Sequence, residues 1–421
     1  MNPRASARRI LGGFSLVLLA AALVACAREA GPPLGIYRAV VQVDGGDLPF
    51  GLELAHEDGA LVAYLINGPE RVRAREVRLA GNQLSIQMPG YQQRIEASWR
   101  EGRFEGTLQL LRPRAVLREL RFVAMPGEDW RFFPKPDAAP VDFSGRWALT
   151  YRDDDGKQSQ AIAELSQQGH VVTGTVLRAS GDDRYIAGEA RGDTLFLSRF
   201  DGGTAYLYLA RLRADGVLTG DQWTGGGSHE TFSGRRDPAA KLDDPGAQSA
   251  LKPGVERLEF AFPDEKGNLH AFPGERYPGK VVLVTVGGSW CPNCHDEAEF
   301  LGELLADRRA RGLEVIQLMF ERTPDFESQA KAARDFAAKF AIGYPVLIAG
   351  TTYDDDVLKK LPQLAAFKAY PTLFIIDRKG VVRAVHTGFA GPATGAHHEQ
   401  QNRELTALVD SLLAEPANGG V

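Results

Sequence analysis

The chain has 421 residues, a formal net charge of −5 and only three cysteines, Cys26, Cys291 and Cys294. That length predicts two or three domains. The mildly acidic balance argues against a nucleic-acid partner.

The chain opens MNPRASARRILGGFSLVLLAAALVACAREAGPP. Arg4, Arg8 and Arg9 make a positive n-region, and Ile10 to Ala25 is apolar and uncharged. This run is too short for a comfortable membrane span of about 20 residues and fits a signal h-region, so residues 1–25 read as a signal peptide. Leu23-Val24-Ala25-Cys26 resembles the bacterial lipobox. The resemblance implies lipidation of Cys26 as the first residue of the mature chain. It also implies a lipid anchor as the membrane attachment and a periplasm-facing place in the cell envelope. Ala27, where an aspartate would favour the inner membrane, favours the outer membrane. The alternative is an ordinary signal peptide with an incidental Cys26. Residues 26–34 are a short tether.

Residues 35–124 read as short strands and turns, with frequent alternation and poor helical periodicity. Residues 145–234 read the same way, and the two stretches look like copies. Gly35-Ile-Tyr-Arg-Ala matches Gly145-Arg-Trp-Ala-Leu, and Gly81-Asn-Gln-Leu-Ser-Ile matches Gly192-Asp-Thr-Leu-Phe-Leu. We expect two tandem antiparallel β modules, small barrels or sandwiches, at 35–124 and 141–236. Pro-rich joints at 125–140 and 237–255 read as linkers. Trp147, Trp223 and Tyr206 read as core aromatics, and Gly225–Gly227 with Ser228 and His229 as a loop; no site is assigned there.

From residue 256 the pattern changes. Val281–Val286 reads as a buried strand, Cys294–Arg311 as an amphipathic helix and Leu313–Phe320 as a strand. Phe326–Phe340 follows as a helix and Tyr344–Ile348 as a strand. Thr372–Ile376 and Val381–His386 form a hairpin through Asp377-Arg-Lys-Gly380, and 397–414 closes as a helix. Strands alternating with helices predict an α/β domain over 256–415, with 416–421 as a tail.

With Cys26 committed to lipid, Cys291 and Cys294 of Trp290-Cys-Pro-Asn-Cys294 are the remaining thiols. A bond across so small a loop restrains the unfolded chain little, so chemistry is a better reason for the pair than stability. A cysteine at a helix N-terminus meets unsatisfied N–H groups and the positive end of the helix dipole, which stabilise the thiolate. Cys291 is therefore the expected nucleophile, and Cys294, one turn on, the resolving thiol. Pro292 stiffens the turn and has no N–H to leave unpaired.

Trp290-Cys-Pro-Asn-Cys294 after a strand, with Ala369-Tyr-Pro-Thr-Leu-Phe-Ile-Ile-Asp377 further along, resembles the thioredoxin fold and, in detail, the TlpA/ResA-type thiol–disulfide oxidoreductases. The resemblance covers about 256–415 and does not reach the β modules. It implies a cis-proline at Pro371 beside the sulfurs, with Tyr370 and Trp290 contacting a substrate chain, and a proton-handling role for Glu297. The plainer reading of Glu297 is helix stabilisation by an acid in the first turn. Asp296 reads as a dipole-compensating surface acid and His295 as a solvent-side helix residue. One departure is Thr285, where general thioredoxins carry a buried aspartate, so a proton relay must run through Glu297 or water.

The implied function is reduction of disulfides in exported proteins, with protein dithiols and disulfides as substrates and an envelope redox partner to recycle the pair. No organic cofactor or metal is implied. Zinc would need four ligands, and no second CxxC pair is present. The Pro-x-x-x-Thr-x-x-Cys pattern of a thiol peroxidase is absent before Cys291. A non-catalytic lipoprotein scaffold or binding module remains the alternative, and the intact cysteine pair and Pro371 count against it.

Overall fold

The structure, a computed structural model, describes residues 31–88, 91, 93–112, 115–135, 140–242, 249–353 and 355–416. Cys26 and the leader lie outside them.

The first β module has nine strands: β1 (Gly35–Val43), β2 (Gly46–Glu57), β3 (Ala60–Asn67), β4 (Glu70–Arg73), β5 (Glu76–Ala80), β6 (Gln83–Gln87), β7 (Gln93–Arg100), β8 (Arg103–Arg112) and β9 (Ala115–Pro126). They form one antiparallel sheet, ordered β4-β3-β2-β1-β9-β8-β7-β6-β5, curled into a half-barrel whose edge strands are not paired to each other. Alternation drives the curl. In β1, Tyr37, Ala39 and Val41 are wholly buried, while Ile36 and Gln42 of the same strand are exposed.

The second module repeats the plan with β10 (Gly145–Asp153), β11 (Gln158–Gln168), β12 (Val171–Arg178), β13 (Gly181–Asp182), β14 (Ile186–Arg191), β15 (Thr194–Phe200), β16 (Ala205–Leu212), β17 (Val217–Thr224) and β18 (His229–Arg236). Here β12 pairs with β11 and also with β14, which closes an eight-stranded barrel; β13 is a two-residue appendage. Positive-φ glycines stand at equivalent places in both modules, Gly35 (φ 122°) and Gly145 (φ 107°) opening β1 and β10, and Gly81 (φ 59°) and Gly192 (φ 58°) turning into β6 and β15. Side-chain-bearing residues adopt this backbone only at a cost, so the turns mark the duplication.

The two β modules share a core. Phe200, Ala205 and Leu207 pack into the apolar cluster of the first module, with Phe200 against Phe50 at 4.9 Å between ring centroids. Arg131, from the joint between them, donates to Asn67 Oδ1 at 3.0 Å and to Ser198 O at 2.9 Å. Glu189 accepts from the Arg131 and Phe132 amides.

The C-terminal domain begins with β19 (Ala250–Leu251), the hairpin β20 (Phe260–Pro263) and β21 (Leu269–Phe272), and then the central strand β22 (Val281–Gly287). There follow α1 (Pro292–Arg308), β23 (Leu313–Glu321), α2 (Phe326–Lys339), β24 (Val346–Thr351), α3 (Asp356–Lys360), β25 (Leu364–Ala366), β26 (Thr372–Ile376), β27 (Val382–Thr387) and α4 (Ala396–Ala414). The main sheet is ordered β24-β23-β22-β26-β27, with β22, β23 and β24 parallel and β26 and β27 antiparallel. Every residue of β22 is buried. Its odd-numbered apolar residues pack under α1 and α4, and its even-numbered ones face α3 and the β20–β21 aromatics. A strand covered on both faces explains the unbroken VVLVTV run.

Candidate active site

The site is built where β22 runs out. Gly287 ends the strand against Cys294; a Cβ placed there would stand 3.2 Å from Cys294 Sγ and 2.9 Å from Gln317 Nε2. The next residues turn tightly, pinned to β23. Ser289 donates its amide (2.8 Å) and hydroxyl (2.9 Å) to the Glu321 carboxylate, and Trp290 Nε1 donates to Phe320 O at 2.9 Å.

Cys291 is the N-cap of α1, with extended backbone (φ −102°, ψ 111°), and Pro292 occupies the first helical position. The Cys291 Sγ accepts the Cys294 amide hydrogen at 3.2 Å, so the sulfur takes the place that a serine or aspartate oxygen takes in an ordinary cap. The two sulfurs are joined as a disulfide with Cα atoms 5.2 Å apart, and the residues are 3% and 1% exposed.

The Tyr370–Pro371 peptide is cis. The Tyr370 ring meets the Trp290 ring edge-on at 5.2 Å, and Arg322 stacks over Trp290 at 4.3 Å. The structure thus brings Trp290, Cys291, Cys294, Tyr370 and Pro371 to one end of the sheet.

Glu297 lies one turn beyond Cys294 on the buried face of α1, 1% exposed. Thr285 donates its hydroxyl to Glu297 Oε2, while Oε1 has no hydrogen-bond partner among the described residues. Burial pushes the carboxyl up to about 8, against the opposing effect of the Thr285 hydrogen bond. The helix therefore delivers a carboxyl onto the strand position that Thr285 leaves without one.

Two expectations from the sequence are corrected here. His295 is not on the solvent side: it is 2% exposed, contacting Ser289 O through Nε2 (2.8 Å) and Lys339 Nζ through Nδ1 (3.0 Å). Burial, reinforced by Lys339, holds it well below the usual histidine range, so the ring is neutral. Asp296 is not a surface acid: it is 5% exposed and paired with Arg184 of the barrel at 3.0 Å. Burial pushes it up to about 7 despite Arg184. Both errors share a cause. The flank of α1 that the helical wheel leaves polar packs against the β modules, with Tyr91 of the first module stacked on His295 at 4.8 Å.

Glu321 is a residue that sequence reasoning passed over. It is 3% exposed beside the CxxC turn, and burial pushes it up to about 7 against the two bonds from Ser289. The signal was a single acid ending the otherwise apolar strand LEVIQLMFE.

A disulfide-forming pair capping a helix, next to a cis-proline at the end of a sheet with this strand order, defines a thioredoxin-fold thiol–disulfide oxidoreductase. Comparisons with known proteins agree. The Redoxin family model matches residues 253–399. The thioredoxin-like protein YneN of Bacillus subtilis is 31% identical over 140 residues, covering 33% of this chain and 73% of that protein. The thiol-disulfide oxidoreductase ResA of Geobacillus kaustophilus is 27% identical over 143 residues, covering 34% and 72%. The thiol:disulfide interchange protein DsbE of Vibrio cholerae is 28% identical over 177 residues, covering 41% and 82%. Through its C-terminal domain, the chain belongs to the ResA-like thiol–disulfide oxidoreductases of the thioredoxin superfamily.

Proposed function

We propose that this protein is a lipid-anchored, envelope-facing oxidoreductase that reduces disulfides in exported proteins. The observation that carries the reading is the Cys291 sulfur capping α1, where it accepts the Cys294 amide hydrogen. On reduction of the pair, that amide and the helix dipole stabilise a thiolate at residue 291.

The Cys291 thiolate attacks one sulfur of a substrate disulfide. A new bond forms between Cys291 and that sulfur, the substrate bond breaks, and the other substrate sulfur leaves as a thiolate. Cys294 loses its proton to water, or to Glu297 in the fraction where that carboxyl is ionised, and attacks the Cys291 sulfur. The mixed bond breaks, the substrate departs carrying two electrons as a dithiol, and Cys291–Cys294 is left oxidised. A dithiol partner in the envelope returns the two electrons. Trp290 and Pro371 border the reacting sulfurs, and the Tyr370 backbone offers a strand edge to an extended substrate chain. Cys26 carries the lipid, and the leader motif supports this placement. The names borne by ResA and DsbE support exchange chemistry, and a reductive direction follows from the family resemblance.

Reduction of a short unstructured peptide closed by one disulfide tests the reading: Cys291→Ser should lose the activity entirely. Activity that survives this substitution rules out the proposed nucleophile.

A further inference from the structure

The redox end of the C-terminal domain is partly covered by the barrel. Asn293, between the two cysteines, donates from Nδ2 to the Asp182 carbonyl (3.1 Å) and to its carboxylate (3.2 Å). The same carboxylate accepts the Gly391 amide at 2.6 Å. Gly181 forms a parallel β-bridge with Phe389, in the buried 388–391 loop that follows β27. That loop reaches the cis-proline directly, since the Gly388 amide donates to Pro371 O at 2.7 Å.

The approach leaves no room for side chains. A Cβ on Gly181, where φ is +137°, would stand 2.5 Å from Asn293 Cγ and from Phe389 O. A Cβ on Gly388 would stand 2.7 Å from Ala179 O. Arg184 holds the turn in place by pairing with Glu70 of the half-barrel at 2.9 Å and with Asp296 of α1 at 3.0 Å. Asp182 is itself fixed by Thr175 (3.1 Å) and by the Arg184 amide (2.9 Å).

The opposite edge is different. Trp290 and Tyr370 are half-buried there, and Arg322 and Lys368 are exposed. Cys291 itself is only 3% exposed.

We propose that the Gly181–Arg184 turn is a specificity-determining wall of the redox groove. It closes the Asn293–Phe389 end, so a substrate enters beside Trp290 and Tyr370. A chain segment that is extended and unfolded passes; a disulfide held within a compact folded protein meets the barrel first. The substrate class is therefore disulfides in unfolded or newly exported segments. This rests on the reading of Cys291 as the attacking thiol and adds the selection of what reaches it.

The test compares two substrates on the full chain: insulin, a compact disulfide protein, and a short unstructured peptide closed by one disulfide. Gly181→Leu wedges the turn away from Asn293 and Phe389. Asp182→Ala removes the carboxylate's bonds from Asn293 and Gly391, leaves the Asn293 bond to the residue 182 carbonyl, and serves if the wedge prevents folding. We expect kcat/KM for insulin relative to the peptide to rise about tenfold in either variant, the size of discrimination a steric wall gives. A ratio unchanged in both variants overturns the wall. Cys291→Ser separates the two readings: loss of both reactions leaves the wall to be judged by the ratio, whereas a surviving reaction refutes the nucleophile.

Discussion

Glu297 holds a proton that the unfolded chain would release. Its carboxyl is pushed up to about 8 from the ordinary 4.5, by burial. Between those two values the folded protein binds the extra proton, so its stability falls as pH rises across that window and is unaffected below it. Glu297→Gln keeps an oxygen for Thr285 and cannot ionise. We expect the melting temperature of the variant minus that of the wild type to grow from pH 4 to pH 9; a difference that shrinks over this range contradicts the buried-acid account. If Glu297 also takes the Cys294 proton, the same variant loses the turnover step that depends on a group near pH 8, which a pH–rate profile reads.

At the scale of elements, the site depends on how closely α1 seats on β22. Gly287→Val places a Cβ 3.2 Å from Cys294 Sγ and 2.9 Å from Gln317 Nε2, both in buried side chains. We expect a loss of about 1–3 kcal/mol in urea unfolding, as for overpacked cores, together with faster alkylation of reduced Cys294. Unchanged stability would mean that the helix can shift without cost. Much of this element was legible beforehand. The unbroken VVLVTV run, the CxxC after it and the helical spacing of Ala298, Leu301, Leu304 and Leu305 all report local physics. The helix begins at Pro292, earlier than apolar periodicity indicates, because Cys291 caps it and a cap is not an apolar position.

At the scale of the whole molecule, three units meet on the first turn of α1, and Arg184 is the shared cation. Arg184→Ala leaves Asp296 and Glu70 in a largely buried setting without their partner, at a cost of about 3–5 kcal/mol. The loss should be greater at pH 8 than at pH 5, since the Asp296 carboxyl left behind is cheaper to bury when protonated; equal losses at both values contradict the pairing. This meeting point was invisible in the sequence. The duplication of the β modules showed through their repeated turn glycines, but closure of the second and not the first depends on a β12–β14 ladder between residues that carry no distinguishing mark. The burial of His295 and Asp296 likewise depends on Tyr91 and Arg184, more than a hundred residues away, and no helical wheel contains them. The central claim, that Cys291 is the sulfur meeting the substrate, is tested most directly by trapping. Cys294→Ser, reduced and mixed with a short unstructured peptide closed by one disulfide, should accumulate a mixed disulfide that peptide mapping places on Cys291, and Cys291→Ser should accumulate none. An adduct on Cys294 in the Cys291→Ser protein, formed as fast as the Cys291 adduct, would contradict it.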